Sequence, residues 1–316
     1  LPYKIDWNFM FYHMAYEYYS TSTMEDIRLF QDLGTRIEAS RPLSRFHRIL
    51  AAIDIDHIIE SEIKAVAYDD FGQYEYEQSF IKSFTTVIPR MKYIWDNTLW
   101  AFTHPVAGSR FYVKYRTSPG LNEKSLTFHS ATLDARKYFR LFNGISFAGR
   151  LFGGTNWGKD AQKFRLGGVP WLFSSDQNRT YSRAIEAEEL YFSEYVMPMR
   201  GYLISNKLGN NVLLGNLELR LPFLLYYFPA IKYFGQINGV IFADVGVTWD
   251  GSYPSPYKKY NWQNDGQGTG WLMSYGFGPR FFFLGMPWML DFSWQYNPHV
   301  GRTSSRKWYL SIGLDF

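Results

Sequence analysis

The 316-residue chain has no cysteine, and only 20% of its residues are Asp, Glu, Lys or Arg. Without cysteine there is no disulfide framework, no thiolate metal site and no cysteine nucleophile. Long apolar runs are missing too. The longest stretch free of Asp, Glu, Lys and Arg is the 14 residues Gly266–Pro279, and it is rich in glycine. A membrane-spanning helix needs about 20 mostly apolar residues, so a polytopic helical membrane protein is excluded. The charge balance, 33 basic against 29 acidic residues, is too even to suggest nucleic acid as a partner. The opening Leu-Pro-Tyr-Lys has no basic n-region, no apolar h-region and no initiator Met. The simplest expectation is a mature chain or part of a longer one.

Aromatic residues, by contrast, are abundant at 20% of the chain, while the mean hydropathy is only −0.27. Those two values fit together in a transmembrane β-barrel, which carries its apolar surface on every second residue and so has ordinary average hydropathy.

Alternation of that kind is clearest in the last hundred residues. In Lys307–Phe316 the even positions are Trp308, Leu310, Ile312, Leu314 and Phe316, and the odd ones are mostly polar. Trp288–Tyr296, Tyr275–Phe283, Ile237–Trp249 and Leu213–Leu221 follow the same period of two, which belongs to strands and not to helices. A soluble β-sandwich would line its apolar face mainly with Val, Ile and Leu. Here Trp249, Trp288, Trp308 and Phe316 sit towards strand ends, as in the aromatic girdles of a barrel at the membrane interfaces. Each strand is about long enough to cross a bilayer when tilted, roughly 9–11 residues.

Upstream, rougher alternation predicts strands at Ile5–Tyr18, Phe46–Ile59, Phe84–Leu99, Arg110–Thr117, Lys124–Ala135 and Gly144–Gly153. In Thr23–Ser40, Met24, Ile27, Phe30, Leu33 and Ile37 recur at helical spacing and Thr23 with Asp26 forms a candidate capping box. That predicts a short amphipathic loop helix. Glu60–Gln78 reads as helix or polar loop, and Thr155–Asn210 as an extracellular loop far longer than most connections. About eleven strands result, whereas single-chain bacterial barrels normally have an even number. An open sheet edge cannot face lipid, so a further strand is expected near the N-terminus or upstream of this chain.

Inside the long loop stands Val196-Met-Pro-Met-Arg200-Gly201-Tyr202. It is followed by Asn211-Val-Leu-Leu-Gly-Asn-Leu-Glu218-Leu-Arg-Leu-Pro222, by Phe242-Ala-Asp244-Val-Gly246, and by Gly276-Phe-Gly-Pro-Arg280. This order resembles the BamA-type superfamily of outer-membrane insertases and translocators, the bacterial surface antigen family. Its hallmark is an Arg-Gly-Phe/Tyr tip on a loop that folds back into the barrel lumen. Phe164-Arg-Leu-Gly167-Gly168 resembles the Phe-x-x-Gly-Gly element preceding that tip.

The resemblance implies that Arg200, with Gly201 and Tyr202, forms the tip, and that Glu218 and Asp244 are its partners on the inner wall. The alternation tests this independently. On Leu213–Leu221 and Ile237–Trp249 the apolar face is odd-numbered, so Glu218, Asn216, Arg220 and Asp244 all point inward. Bidentate pairing of arginine with carboxylate is directional and strong when partly desolvated, which suits a latch.

The likeness is good over about Phe164–Phe316 and loose before it. It implies a sixteen-strand plan whose first strands, and any periplasmic domain, lie outside this chain, and an insertion at Val169–Met199. The C-terminal alternation ending in Phe316 resembles the signal by which outer-membrane barrels are themselves recognised for insertion.

The expectation is therefore an all-β transmembrane antiparallel barrel over residues 1–316 in the bacterial outer membrane. It is expected to assist protein insertion or translocation without covalent catalysis, cofactor or metal. Implied partners are outer-membrane lipid, unfolded outer-membrane or secreted protein substrates and accessory proteins. An anchor or exporter for an upstream domain, or a passive pore, is the alternative. For a barrel-embedded serine hydrolase, His and Ser would have to be two residues apart on a strand. None of His13, His47, His57, His104, His129 and His299 has Ser at that spacing.

Overall fold

The computed structural model describes residues 4–19, 26–68, 74–101, 104–122, 125–142, 144–175, 191–222, 237–251, 270–297, 301–302 and 306–313. Twelve long strands run through one antiparallel sheet. Seven come first: β1 (Asp6–Tyr19), β2 (Asp26–Pro42), β3 (His47–Tyr68), β4 (Tyr74–Asp96), β6 (Pro105–Pro119), β7 (Thr127–Arg140) and β8 (Ser146–Trp157). The two-residue β5 (Leu99–Trp100) flanks β6. After the long loop come β13 (Asn211–Leu221), β14 (Asn238–Trp249), β15 (Leu272–Phe283), β16 (Met286–Asn297) and β18 (Lys307–Ile312), with β17 (Gly301–Arg302) beside β16. Each long strand pairs with the next, and β8 pairs with β13 across the loop.

The region 23–40, expected as a helix, is instead strand from Asp26 onward, which brings the long strands among the described residues to twelve. The cause is visible in the register. Leu29, Leu33 and Ile37 are four apart, a spacing that satisfies a period of two as well as a helical one. β2 pairs along its whole length with β1 and β3, which places Leu33 and Ile37 on the outer face and buries Phe30. β-branched Ile27, Thr35 and Ile37 favour the extended form.

Glu60–Gln78, expected as helix or polar loop, belongs to the β3–β4 hairpin. β3 has 22 residues and β4 has 23, about twice what a tilted crossing needs. The far end of this hairpin therefore stands beyond the bilayer on the side of the long loop. Irregular register between Glu60 and Ser61 and between Ala65 and Ala67 marks the change of environment.

Faces sort as the alternation requires. Leu151, Leu217, Ile241 and Phe277 are exposed on the outside, whereas Asp134, Asn216, Glu218, Asp244, Ser293 and Arg280 are buried inside. Aromatic clusters mark both rims. Tyr115, His129 and Trp157 stack at the loop end, and Phe281 with Trp288 at the opposite end. His129 thus belongs to a girdle, and adjacent Ser130 is buried on the other face.

Candidate functional site: a loop latched to the inner wall

The described parts of the loop, 158–175 and 191–210, pack against the inward face of the sheet and build a small sheet of their own. β9 (Phe164–Leu166) pairs in parallel with β11 (Glu194–Val196) and antiparallel with β12 (Lys207–Gly209). A further short segment, β10 (Phe173–Ser174), leaves this sheet and joins the barrel. Phe164, Leu166, Val196 and Met199 pack against Phe152, Val212, Leu214 and Leu272 of the wall, all buried. Phe164 lies over Gly154, where a Cβ would come within 2.5 Å of its ring.

Gly167 and Gly168 follow with φ of +135° and +80°, a left-handed region open to glycine at little cost. A side chain there would also strike Leu203 and Ile204. The turn lets Gly168 exchange two backbone hydrogen bonds with Met199, 3.0 and 2.8 Å long. Met199 precedes Arg200, so this bridge fixes where the tip arginine enters the lumen.

Arg200 is 1% exposed, and each of its three guanidinium nitrogens donates a hydrogen bond. Its Nε and Nη2 donate to the two oxygens of Asp244 at 2.8 and 2.7 Å, and its Nη1 donates to Glu218 Oε1 at 2.7 Å. Its backbone N–H also donates to Asp244, at 3.1 Å. The guanidinium plane sits 3.6 Å from the centroid of the Phe242 ring, adding a cation–π contact in a desolvated place. Phe242 can lie there because Gly276 is beneath it, where a Cβ would be 2.5 Å from the ring.

Burial by itself would lower the Arg200 pKa, but the Asp244 and Glu218 carboxylates hold it well above the ordinary value. Two cations meet two carboxylates: Arg220 donates from Nε and Nη2 to Glu218 Oε2 at 3.0 and 2.8 Å. Such mutual compensation is what a buried charge cluster requires.

Gly201, with φ of +87°, accepts a hydrogen bond through its carbonyl from Gln295 Nε2 at 2.8 Å. The Tyr202 hydroxyl donates to the Met273 carbonyl at 2.8 Å, and burial pushes its pKa up to about 12. The structure thus gathers Arg200, Gly201, Tyr202, Glu218 and Asp244 into one cluster, with Phe164, Gly167 and Gly168 at the base of the loop.

Of the C-terminal residues, Trp308, Leu310 and Ile312 alternate with buried Tyr309 and Ser311. Leu314 and Phe316 lie outside the described residues.

No family model matches the chain, and no curated protein does. Solved structures do. BamA from Haemophilus ducreyi lacking POTRA domains 1–3 superposes with a TM-score of 0.64 at 10% identity, over 98% of this chain and 59% of that one. CdiB from Acinetobacter baumannii gives 0.54 at 12% identity, over 98% and 47%. The fold is that of the β-barrel in these BamA and CdiB structures. The chain spans about half the length of these BamA-type structures.

Within this BamA-type barrel, sequence reasoning missed the second line of attachment. Lys114 Nζ meets Glu194 Oε2 at 2.7 Å, Arg116 donates to the Phe192 carbonyl at 2.7 Å, and Tyr191 donates to Glu60 at 2.5 Å. Asp134 binds Arg136 and Arg150, and Arg150 also reaches the Met197 carbonyl. The inward parity of Lys114, Arg116, Asp134, Arg136 and Arg150 was readable. The loop partners Tyr191, Phe192, Glu194 and Met197 were not, because they lie in the long loop, outside the alternating strands. Asn216 is a further tie, donating to the Pro198 carbonyl at 2.9 Å and to Asp244 at 2.7 Å.

Proposed function

We propose that residues 1–316 form an outer-membrane barrel that assists insertion or translocation of proteins, working through binding and strain and without covalent chemistry. The observation that carries this reading is the buried Arg200–Asp244–Glu218 cluster, which pins a polar loop inside a BamA-type barrel. A passive pore gains nothing from such a latch, and a loop filling the lumen opposes free diffusion through it.

In this reading the latch holds the loop in one position while an unfolded outer-membrane or secreted protein engages the barrel. Outer-membrane lipid surrounds the apolar face, and accessory proteins act at its ends. Trp308, Leu310 and Ile312 belong to the segment by which the barrel is itself assembled.

The test is reconstitution of the complete protein in liposomes, following insertion of an unfolded test barrel with wild type and Arg200→Ala. Accelerated insertion that the substitution abolishes supports the reading. Wild type no faster than empty liposomes would sink it in favour of an anchor or exporter.

A further inference from the structure

Side chains directly opposite each other on neighbouring strands interact, and like charges there are destabilising. The inward face of the sheet nevertheless places cation against cation three times. On β4 and β6, Arg90 stands opposite Arg116 and Lys92 opposite Lys114. On β6 and β7, Arg110 stands opposite Arg136. All six share the parity of Thr86, Ser118 and Asp134, which are buried on the inward face of the same strands.

These cations differ in what neutralises them. Arg90 donates to Glu38 at 3.1 Å, Lys114 meets Glu194 at 2.7 Å, and Arg116 donates to the Phe192 carbonyl at 2.7 Å. Arg136 is bidentate on Asp134 at 2.9 and 2.8 Å. Lys92 has no carboxylate within ion-pair distance among the described residues, and its Nζ lies 4.0 Å from the centroid of the Tyr112 ring. Arg110 reaches Asp96 only at 3.5 Å, through side chains 40% and 37% exposed, a contact worth little in water. Lys92 and Arg110 thus flank Tyr112 near the end of β4 and the start of β6, at the end of the sheet away from the long loop. A wall that had only to fold would gain by replacing one member of each like-charged pair. Breaches of a local rule of this kind belong to sites kept for function.

We propose that Lys92 and Arg110, on either side of Tyr112, bind an acidic stretch of polypeptide through its Asp and Glu carboxylates. Charge complementarity sets the class. An ammonium offers a point charge, and a guanidinium takes a carboxylate through two parallel hydrogen bonds. Arg136, opposite Arg110, adds to the same positive field. The proposal deepens the insertion or translocation reading, and rests on it for the acidic stretch being part of the incoming protein.

The test uses the complete protein in nanodiscs, where both ends of the barrel are open to solution. Two fluorescent peptides of equal length are titrated, one rich in Glu and one with Gln at the same positions. The Glu peptide is expected to bind, and to bind less as salt rises, and the Gln peptide is not. Lys92→Gln and Arg110→Gln should each weaken the Glu peptide about tenfold or more, as loss of a charged hydrogen bond does. The unfolding midpoint should hold or rise in both, because a like-charged neighbour has gone. Equal binding of the two peptides, affinity unmoved by either substitution, or a midpoint that falls in both would overturn the proposal. So would displacement by inorganic phosphate but not by chloride at equal ionic strength, which would make the patch a small-anion site. If wild type fails to accelerate insertion of a test barrel while the Glu peptide still binds through Lys92, the insertase reading falls and the acidic-peptide site stands. Accelerated insertion with equal binding of both peptides would sink the site alone.

Discussion

Arg200 and Asp244 are 44 residues apart in sequence and share three hydrogen bonds, two from the guanidinium and one from the Arg200 backbone N–H. A backbone donor in the set means that the loop's path, and not only one side chain, is fixed to β14.

Removing one partner of a buried charge cluster costs about 3–5 kcal/mol, because the remaining charges stay buried without compensation. Arg200→Ala is therefore expected to lower the unfolding midpoint in membranes and to expose residues 191–202 to protease while the barrel still folds. Arg200→Lys should rescue little, since a single ammonium cannot serve both oxygens of Asp244 and reach Glu218. An unchanged midpoint with a protected loop would show that the cluster holds nothing.

The two acids should differ. Glu218 keeps the Arg220 guanidinium when Arg200 is gone, whereas Asp244 is left with the neutral Asn216 amide. Double-mutant cycles of Arg200→Ala with Asp244→Asn and with Glu218→Gln should both give coupling, of about 0.5–3 kcal/mol. The Asp244 cycle is expected to give the larger value. Equal or reversed couplings would contradict the assignment of the stronger contact to Asp244.

Leu217 and Ile312 are exposed on the outer face. An arginine at the midplane of such a face costs about 2–4 kcal/mol. Leu217→Arg and Ile312→Arg are expected to reduce the amount of folded protein recovered from membranes. Wild-type yields from either would mean that the facing is reversed.

Gly276 supports the Phe242 ring on which the Arg200 guanidinium lies. In Gly276→Ala the added methyl would meet the Phe292 carbonyl oxygen of β16 at 2.1 Å and that ring at 2.5 Å, so both must shift, and overpacking of this kind costs about 1–3 kcal/mol. Loop protection is expected to fall in this variant although no charged residue has changed. Retained protection would remove Phe242 from the latch.

The Tyr202 phenol has its pKa raised from 10.0 to about 12 by burial. Between those values the folded protein holds a proton that the unfolded chain has released. Stability gained from this group is therefore complete below pH 10 and is lost as pH rises towards 12, at up to about 1.4 kcal/mol per pH unit. Alkaline titration of unfolding should show this slope in wild type and lose it in Tyr202→Phe. The same slope in both would assign it to other groups.

Period-two alternation, aromatic rims and the inward parity of Glu218, Asn216, Arg220 and Asp244 are local properties, because successive side chains on a strand must face opposite ways. The sequence by itself therefore determined the strands from Leu213 onward and the faces of the latch acids. It misjudged β2, where apolar residues four apart serve both periods. It also misjudged the end of the β3–β4 hairpin, where the two strands stay paired out to Tyr68 and Tyr74. What only the tertiary structure decided was partnership. Lys114 reaching Glu194, Tyr191 reaching Glu60 and Phe173 lying against Leu310 each join a residue of the long loop to the wall. No residue period specifies such a meeting: it depends on how the sheet positions its wall and how the described parts of the loop pack against it.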